Sequence, residues 1–165
     1  MRTPTSTTHN SANTRTYEQM LFKASAYCAT AEHCEADVRE KLRTWTCAPE
    51  HIDKIIDYLQ QENFLNEQRY CNAFVRDKFR FNQWGKTKIA IMLRAKGLAD
   101  AYIDEALAQI DDTAYAATLT NLLDAKQRGL KYRDDYDRKA KLIRFAQGRG
   151  FEYNIIAACL DQLHE

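Results

Sequence analysis

The feature that most restricts how this chain can fold is a recurring marker: a helix terminator followed six and ten residues later by two apolar residues. It occurs with the same gaps three times, as Thr46, Ile52 and Ile56, then as Gly97, Ile103 and Leu107, and finally as Gly150, Ile156 and Leu160. The terminators lie 51 and 53 residues apart. Glycine is typical of a helix C-cap because it adopts the left-handed conformation without steric cost. Self-similarity at this period predicts tandem structural repeats.

Each repeat is predicted to contain three short helices, because five glycines and two prolines in 165 residues leave little material for hairpin turns. We predict helices near residues 17–30, 35–44, 49–62, 66–80, 85–96, 99–110, 112–128, 134–148 and 151–163. Their cores are predicted to contain Val38, Leu42, Ile52, Ile56, Leu59, Ile89, Leu93, Ile103, Leu107, Ile143, Ile156 and Leu160. Single helices of this length are marginal in water, so three must close each core. The expected fold is all-α, with three tandem three-helix repeats in an elongated, curved arrangement.

The expected domain boundaries follow from these helices. They are a disordered N-terminal tail at 1–16 and three-helix repeats at 17–65, 66–111 and 112–165. The tail holds eight Ser or Thr, two Arg and no acid, a composition that disordered tails share with transit peptides, and we favour the tail. No apolar stretch approaches the ~18 residues that span a bilayer, and the tail lacks the apolar centre of a signal peptide. A cytoplasmic location without membrane contact is therefore expected.

Positive charge is concentrated in two stretches, although the formal net charge of the chain is only +1. Residues 76–96 carry seven basic side chains and one acid, and residues 126–149 carry nine basic side chains and three acids, a balance of +6 in each. The first stretch also contains Phe79, Phe81 and Trp84. Basic residues interleaved with aromatic ones are typical of surfaces that bind nucleic-acid backbones. A solvated helix face with its aromatic side chains turned into the core explains the same pattern.

Two other patterns in the sequence resemble ligand sites. Gly85-Lys86-Thr87 resembles the end of a phosphate-binding loop, but Arg80 stands where that motif requires glycine and no strand precedes it, so a helix start is favoured. The cysteines number five and form no Cys-x-x-Cys pair, which favours reduced, mostly buried thiols. A metal site is conceivable from Cys28, His33, Cys34, Cys47 and His51, but their spacing fits no standard ligand pattern.

Three segments carry a resemblance to the RecX family, and together they fall in the family's order within residues 17–165. The passage NFLNEQRYCNAFV at 63–75 looks like the segment that joins the first two RecX repeats. The passage WGKTKIAIMLRAKGL at 84–98 resembles the basic second helix of the second repeat, and EADVREKL at 35–42 resembles the corresponding helix of the first. Two positions depart from the family pattern: Cys34 stands where a capping Ser is usual, and Thr46 replaces the turn glycine.

The resemblance implies a small bacterial protein that lies like a clamp in the groove of the RecA–DNA filament. There it would lower ATP hydrolysis, strand exchange and co-protease activity in recombination, DNA repair and the SOS response. The expected partners are the RecA filament and, weakly and with salt sensitivity, single- and double-stranded DNA. The chain is expected to be a monomer, to hold no cofactor or metal, and not to be an enzyme.

The resemblance and the charge pattern together give the expected filament and DNA contacts. In the second basic stretch, Asp134, Asp135 and Asp137 are expected to neutralise the N-terminal half, which leaves its later cations as the stronger candidates. The predicted contact residues are Arg76, Lys78, Arg80, Lys86, Lys88, Arg94, Lys96, Lys139, Lys141 and Arg144. A general helical nucleic-acid binder and a protein–protein adaptor remain as alternative functions.

Overall fold

The computed structural model describes residues 16–163, and within that range the chain forms helices and no strands. The helices are α1 (Tyr17–Thr30), α2 (Glu35–Thr44), α3 (Pro49–Gln61), α4 (Glu67–Asn82), α5 (Lys86–Ala95), α6 (Asp100–Leu107), α7 (Asp112–Arg128), α8 (Asp135–Gly148) and α9 (Tyr153–Gln162). The all-α class is confirmed. No helix in the described range is long and apolar enough to cross a membrane. The predicted disordered tail lies outside the described residues, apart from Thr16.

Several helix starts are fixed by their first residues. Thr16 forms a capping box with Gln19 at the start of α1. Asp111 caps α7 by accepting a hydrogen bond from the Ala114 amide at 2.8 Å, and Asp134 caps α8 in the same way. As its residue type suggested, Cys34 makes no side-chain capping bond, and α2 begins after it without one.

The chain divides into two compact units, one ending at Asn66 and the other beginning at Glu67. In the first unit, α1, α2 and α3 all pack on one another. Their buried core is formed by Met20, Ala24, Cys28, Val38, Leu42, Cys47, Ile52, Ile55, Ile56, Leu59 and Leu65. Arg39 ties α2 to α3 because its guanidinium contacts Glu35 at 2.6 Å and Asp53 at 2.7 Å.

The second unit contains two groups of three helices. The helices α4, α5 and α6 pack on one another, and so do α7, α8 and α9. The largest fully buried side chains of this unit are Ile89, Leu93, Ile103, Leu119, Leu123, Leu142 and Ile156. The predicted boundaries between three repeats stay a prediction, since the second and third groups share one compact unit.

Two of the predicted core positions are wrong. Leu107 and Ile143 are only half-buried, whereas the neighbouring Ala106 and Leu142 are fully buried. In α6 the buried side chains, Ile103 and Ala106, are spaced by three residues instead of four. Both spacings place residues on the same side of a helix, so the apolar pattern alone does not distinguish them.

The three predicted terminators all adopt the left-handed backbone. Gly97 and Gly150 have φ of 83° and 91°, and Thr46, which has a side chain, has φ of 59°. After each of these residues the chain turns into the third helix of its group. The turn geometry expected from the glycines is therefore confirmed, and threonine supports it in the first unit.

Candidate nucleic-acid interface

The start of α5 is joined by its backbone to the far end of α8. The Gly85 amide donates to the Arg149 carbonyl at 2.8 Å, and the Thr87 amide donates to the Gly150 carbonyl at 3.0 Å. Between them, the Lys86 amide donates to the Tyr115 hydroxyl at 2.8 Å. The first amides of a helix have no partner within the helix, so the third three-helix group, α7 to α9, satisfies the start of α5.

The two glycines at this junction are required by space. A Cβ added to Gly85 would lie 2.2 Å from the Gly150 carbonyl carbon, and one added to Gly150 would lie 2.2 Å from the Lys88 Cβ. Such distances are far inside van der Waals contact, so the two backbone segments approach this closely only because neither residue has a side chain. By contrast, a Cβ at Gly97 would meet no atom within 4 Å.

Tyr115 is the buried polar centre of the junction. Its hydroxyl donates to Glu152 Oε2 at 2.6 Å while it accepts from Lys86. Burial, followed by the hydrogen bond to the Glu152 carboxylate, raises the pKa of the Tyr115 phenol well above its ordinary range. The Lys86 ammonium lies 4.9 Å from the centre of the Tyr115 ring and 3.3 Å from Asp112 Oδ1. Lys86 therefore belongs to the junction, and the amides that a phosphate would need at Gly85-Lys86-Thr87 are bonded to protein.

Cations lie over aromatic rings on both sides of this junction. Trp84 has the Lys88 ammonium 4.3 Å and the Lys78 ammonium 5.1 Å from its ring. Phe145 has the Lys126 ammonium at 5.2 Å and the Arg149 guanidinium at 5.6 Å. Cations are attracted electrostatically to aromatic faces, and these contacts fix the position of side chains that are otherwise flexible.

The two cation clusters meet at the junction through Arg149. Its Nη1 donates to the Asn82 carbonyl at 3.0 Å, and its own carbonyl accepts from Gly85. Arg149 thus bonds to the chain on both sides of Trp84. We call the combined set the junction surface, consisting of Lys78, Trp84, Lys88, Lys126, Phe145 and Arg149. Such a surface carries positive charge for phosphates and aromatic rings beside it.

The predicted contact residues include only two of the six residues of the junction surface, Lys78 and Lys88. Lys126, Phe145 and Arg149 lie near the two ends of the second basic stretch, and the fold joins this cluster to the chain around Trp84 through the Arg149 hydrogen bond to the Asn82 carbonyl. The local signal that was available is the triplet Gly148-Arg149-Gly150, which places a basic residue at a helix end. Its partner segment lies more than sixty residues earlier, so the sequence spacing does not reveal the pairing.

Other predicted contact residues of the first basic stretch are held by neighbours. Arg76 contacts Asp77 at 3.0 Å, and Arg94 contacts Asp100 at 2.6 Å. Both pairs are exposed, and such pairs contribute little to stability. These arginines stay accessible to a partner.

The two remaining cations of this stretch lie near aromatic rings on α4. Lys96 lies 5.9 Å from the ring of Tyr70, and Arg80 lies 5.5 Å from the ring of Phe81. Arg80 is exposed, so its charge also faces solvent.

In the second basic stretch, acidic side chains pair with more of the lysines than expected. Lys139 contacts Asp135 at 3.5 Å and Lys141 contacts Asp137 at 2.9 Å, so both are paired one turn away along α8. The expectation that only the N-terminal half would be paired is wrong, because one helical turn brings these two lysines back to the same acids. Arg144 is exposed, and no acidic partner for it is found among residues 16–163.

The acids of α8 titrate low because of these partners. Hydrogen bonding from Arg138 lowers the pKa of Asp135, and hydrogen bonding from Lys141 lowers that of Asp137. Arg138 is itself buried and also contacts Gln127 on α7. The start of α8 is therefore a local ion-pair network that fixes the helix rather than an open basic patch.

The cysteines behave as buried thiols. All five are buried. Burial, with a smaller contribution from Glu32, raises the pKa of Cys28 to about 11, and burial likewise raises that of Cys47. Thiols, unlike thiolates, are poor metal ligands. Within the described range, no group of three or more His, Cys, Asp or Glu side chains is placed to hold a metal ion.

Comparisons with known proteins all identify relatives in the RecX family. Residues 66–107 match the second three-helix domain of RecX, and residues 114–160 match the third. A protein of Prosthecochloris aestuarii named regulatory protein RecX is 32% identical over 143 residues, which cover 87% of this chain and 92% of that protein. A regulatory protein RecX of Clostridium botulinum is 35% identical over 124 residues, which cover 74% of this chain. The matched region spans 58% of the length of that clostridial relative.

Solved structures show the same fold. The crystal structure of RecX from Lactobacillus salivarius superposes with a TM-score of 0.81 at 21% identity, covering 90% of this chain and 96% of that one. A second crystal structure, of a regulatory protein RecX, gives the same TM-score and identity over 88% of this chain and 73% of that one. At this identity the likeness shows the helical architecture alone.

Proposed function

The chain belongs to the RecX family, and we propose that it is a regulatory protein that binds the RecA–DNA filament and restrains ATP hydrolysis, strand exchange and co-protease activity. The observation that carries the proposal is the junction surface, on which Lys78, Lys88, Lys126 and Arg149 surround two aromatic rings. Cations of this kind attract the phosphates of a nucleic-acid strand.

The proposed mode of action is binding without catalysis. The relatives are named regulatory proteins. The buried hydroxyl of Tyr115 already makes hydrogen bonds within the protein, to the Lys86 amide and the Glu152 carboxylate. We place the action on a cytoplasmic filament and propose that the protein acts as a monomer. Weak, salt-sensitive binding to bare DNA is expected beside stronger binding to the filament.

A general nucleic-acid binder is the second candidate, because cations beside aromatic rings also suit a bare single strand. The two functions differ in affinity. A regulator of the filament binds RecA-coated single strands more tightly than bare strands at the same salt concentration. A general binder prefers the bare strand, whose phosphates are more accessible.

The proposal is tested by fluorescence anisotropy with a labelled oligo(dT) strand, bare and coated with RecA. The variant Lys78→Glu with Lys126→Glu reverses two cations of the junction surface whose side chains take no part in the hydrogen bonds between α5 and the end of α8. The expected result is at least a tenfold loss of filament affinity and a salt slope that is smaller by about two.

The matched control is Arg43→Glu with Arg128→Glu, which changes the net charge equally at exposed side chains outside the junction surface. It is expected to bind nearly as the wild type does. Equal losses in the two variants would show that overall charge alone governs binding. A wild-type chain that prefers bare oligo(dT) would move the assignment to a general nucleic-acid binder.

A further inference from the structure

The second unit contains a cavity that the junction surface does not use. It encloses about 470 Å³ beside α4, the end of α6 and α7, a size typical of sites that hold a small ligand or a few side chains. Its apolar lining includes Val75, Ala106 and Ile110, all of which are buried. The ring of Phe79 also lines the cavity and is only half-buried, so it leaves apolar surface that favours an apolar group from a partner.

The charge beside this apolar wall is positive. Arg76 and Arg80 both line the cavity and stand one helical turn apart on α4. Arg76 contacts the neighbouring Asp77 in an exposed pair, a weak interaction that a partner's carboxylate can replace. The lining carboxylate of Asp111 is directed to the start of α7, where it caps Ala114. The arginines therefore set the charge that an entering group meets.

Two of the amide side chains at the wall, those of Asn72 and Gln109, bond to each other. Asn72 Oδ1 accepts hydrogen bonds from Gln109 Nε2 at 3.0 Å and from Gln68 Nε2 at 2.9 Å. Recognition of a nucleobase requires donors and acceptors that are available to its edge. Because these amides bond to one another, the cavity is better suited to an apolar side chain than to a base.

We propose that this cavity receives one apolar side chain from an acidic segment of the partner protein, whose flanking carboxylates pair with Arg76 and Arg80. Guanidinium groups bind carboxylates through two parallel hydrogen bonds, which provides direction as well as affinity. Interface affinity concentrates in buried anchors of this kind. The proposal rests on the proposed function, because it assigns the segment to the protein component of the RecA filament.

The test uses tryptophan substitutions that block the opening of the cavity. Gln109→Trp places a large side chain over the opening, and Ala108→Trp adds the same side chain at the adjacent exposed residue, which does not line the cavity. Binding is measured by anisotropy to RecA-coated oligo(dT) and to bare oligo(dT). The expected result is at least a tenfold loss of filament affinity for Gln109→Trp, with bare-strand affinity unchanged and Ala108→Trp behaving as the wild type.

A second blocking variant guards against a local folding defect. Thr118→Trp fills the cavity from α7 and leaves the hydrogen bond between Gln109 and Asn72 intact. It is expected to reproduce the loss, with an unchanged urea unfolding midpoint.

The outcomes separate the two proposals. Wild-type filament affinity in both blocking variants would overturn the cavity proposal and leave the filament regulator standing. Loss of bare-strand affinity would identify the occupant as nucleic acid and overturn the protein segment. If the wild type itself failed to bind filaments, both proposals would fall.

Discussion

Replacing Gly150 by alanine perturbs the junction at its tightest point. The new Cβ would lie 2.2 Å from the Lys88 Cβ and 2.6 Å from its amide nitrogen, so α5 and α8 must separate. Gly97→Ala is the matched control. Gly97 has a similar positive φ after the second helix of its own group, but open space lies around the added Cβ.

The two substitutions share one energetic contribution and differ in two others. Alanine in the left-handed conformation costs about 1–2 kcal/mol at both positions. At Gly150 alone, overpacking adds about 1–3 kcal/mol. Losing the hydrogen bonds from Gly85 and Thr87 adds about 0.5–1.5 kcal/mol each. We therefore expect a loss of about 1–2 kcal/mol for Gly97→Ala and about 3–8 kcal/mol for Gly150→Ala.

The assay is urea unfolding followed by tryptophan fluorescence in a Trp45→Phe background. The chain has two tryptophans, and this change leaves Trp84, which is adjacent to the junction, as the reporter of the second unit. Gly150→Ala should shift the unfolding midpoint to clearly lower urea than Gly97→Ala. Equal shifts would refute the argument, because they would show that left-handed strain alone, without the close approach, explains the effect.

Three further predictions concern single groups. Tyr115→Phe leaves the Lys86 amide and the Glu152 carboxylate without the hydroxyl that joins them, so the free energy of unfolding should fall by about 1–3 kcal/mol in urea melts; an unchanged midpoint would contradict that role. The folded-state pKa of Cys28, at about 11, lies above the ordinary value of 9.0, so the unfolded thiol ionises first and stability should fall as pH rises from 9 towards 11. A Cys28→Ala chain should lack that part of the slope, and parallel pH profiles would refute the assignment. Asp134→Ala removes the side chain that caps α8, so the free energy of unfolding from thermal melts should fall by about 1 kcal/mol. Asp134→Asn keeps a capping oxygen and should retain most of the wild-type stability.

Local structure was largely predictable because its causes are local. The left-handed turns at Gly97 and Gly150 follow from the conformational freedom of glycine, and the observed φ values agree. The least accurate boundary was the end of α6, which stops at Leu107 instead of 110. There the last amides bond three residues back, as in the tightened turn that often ends a helix.

The candidate site was less predictable because its geometry is tertiary. Gly85 was predicted to start a helix, and it does, but its contact with Gly150 joins segments that lie 65 residues apart. Lys86 was predicted to contact the filament, yet Tyr115 and Asp112 draw its amide and ammonium into the junction. Charge counts locate basic stretches in the sequence, but only the packing shows which cations already contact other side chains of the same protein.

The most direct test of the proposed regulation is the rate of ATP hydrolysis by preformed RecA filaments on single-stranded DNA while the chain is titrated in. The proposal predicts that hydrolysis falls at ratios far below one chain per RecA, because a regulator that blocks filament extension or spans subunits affects many protomers at once. An unchanged rate, even with the folded chain in excess over RecA, would contradict the proposal.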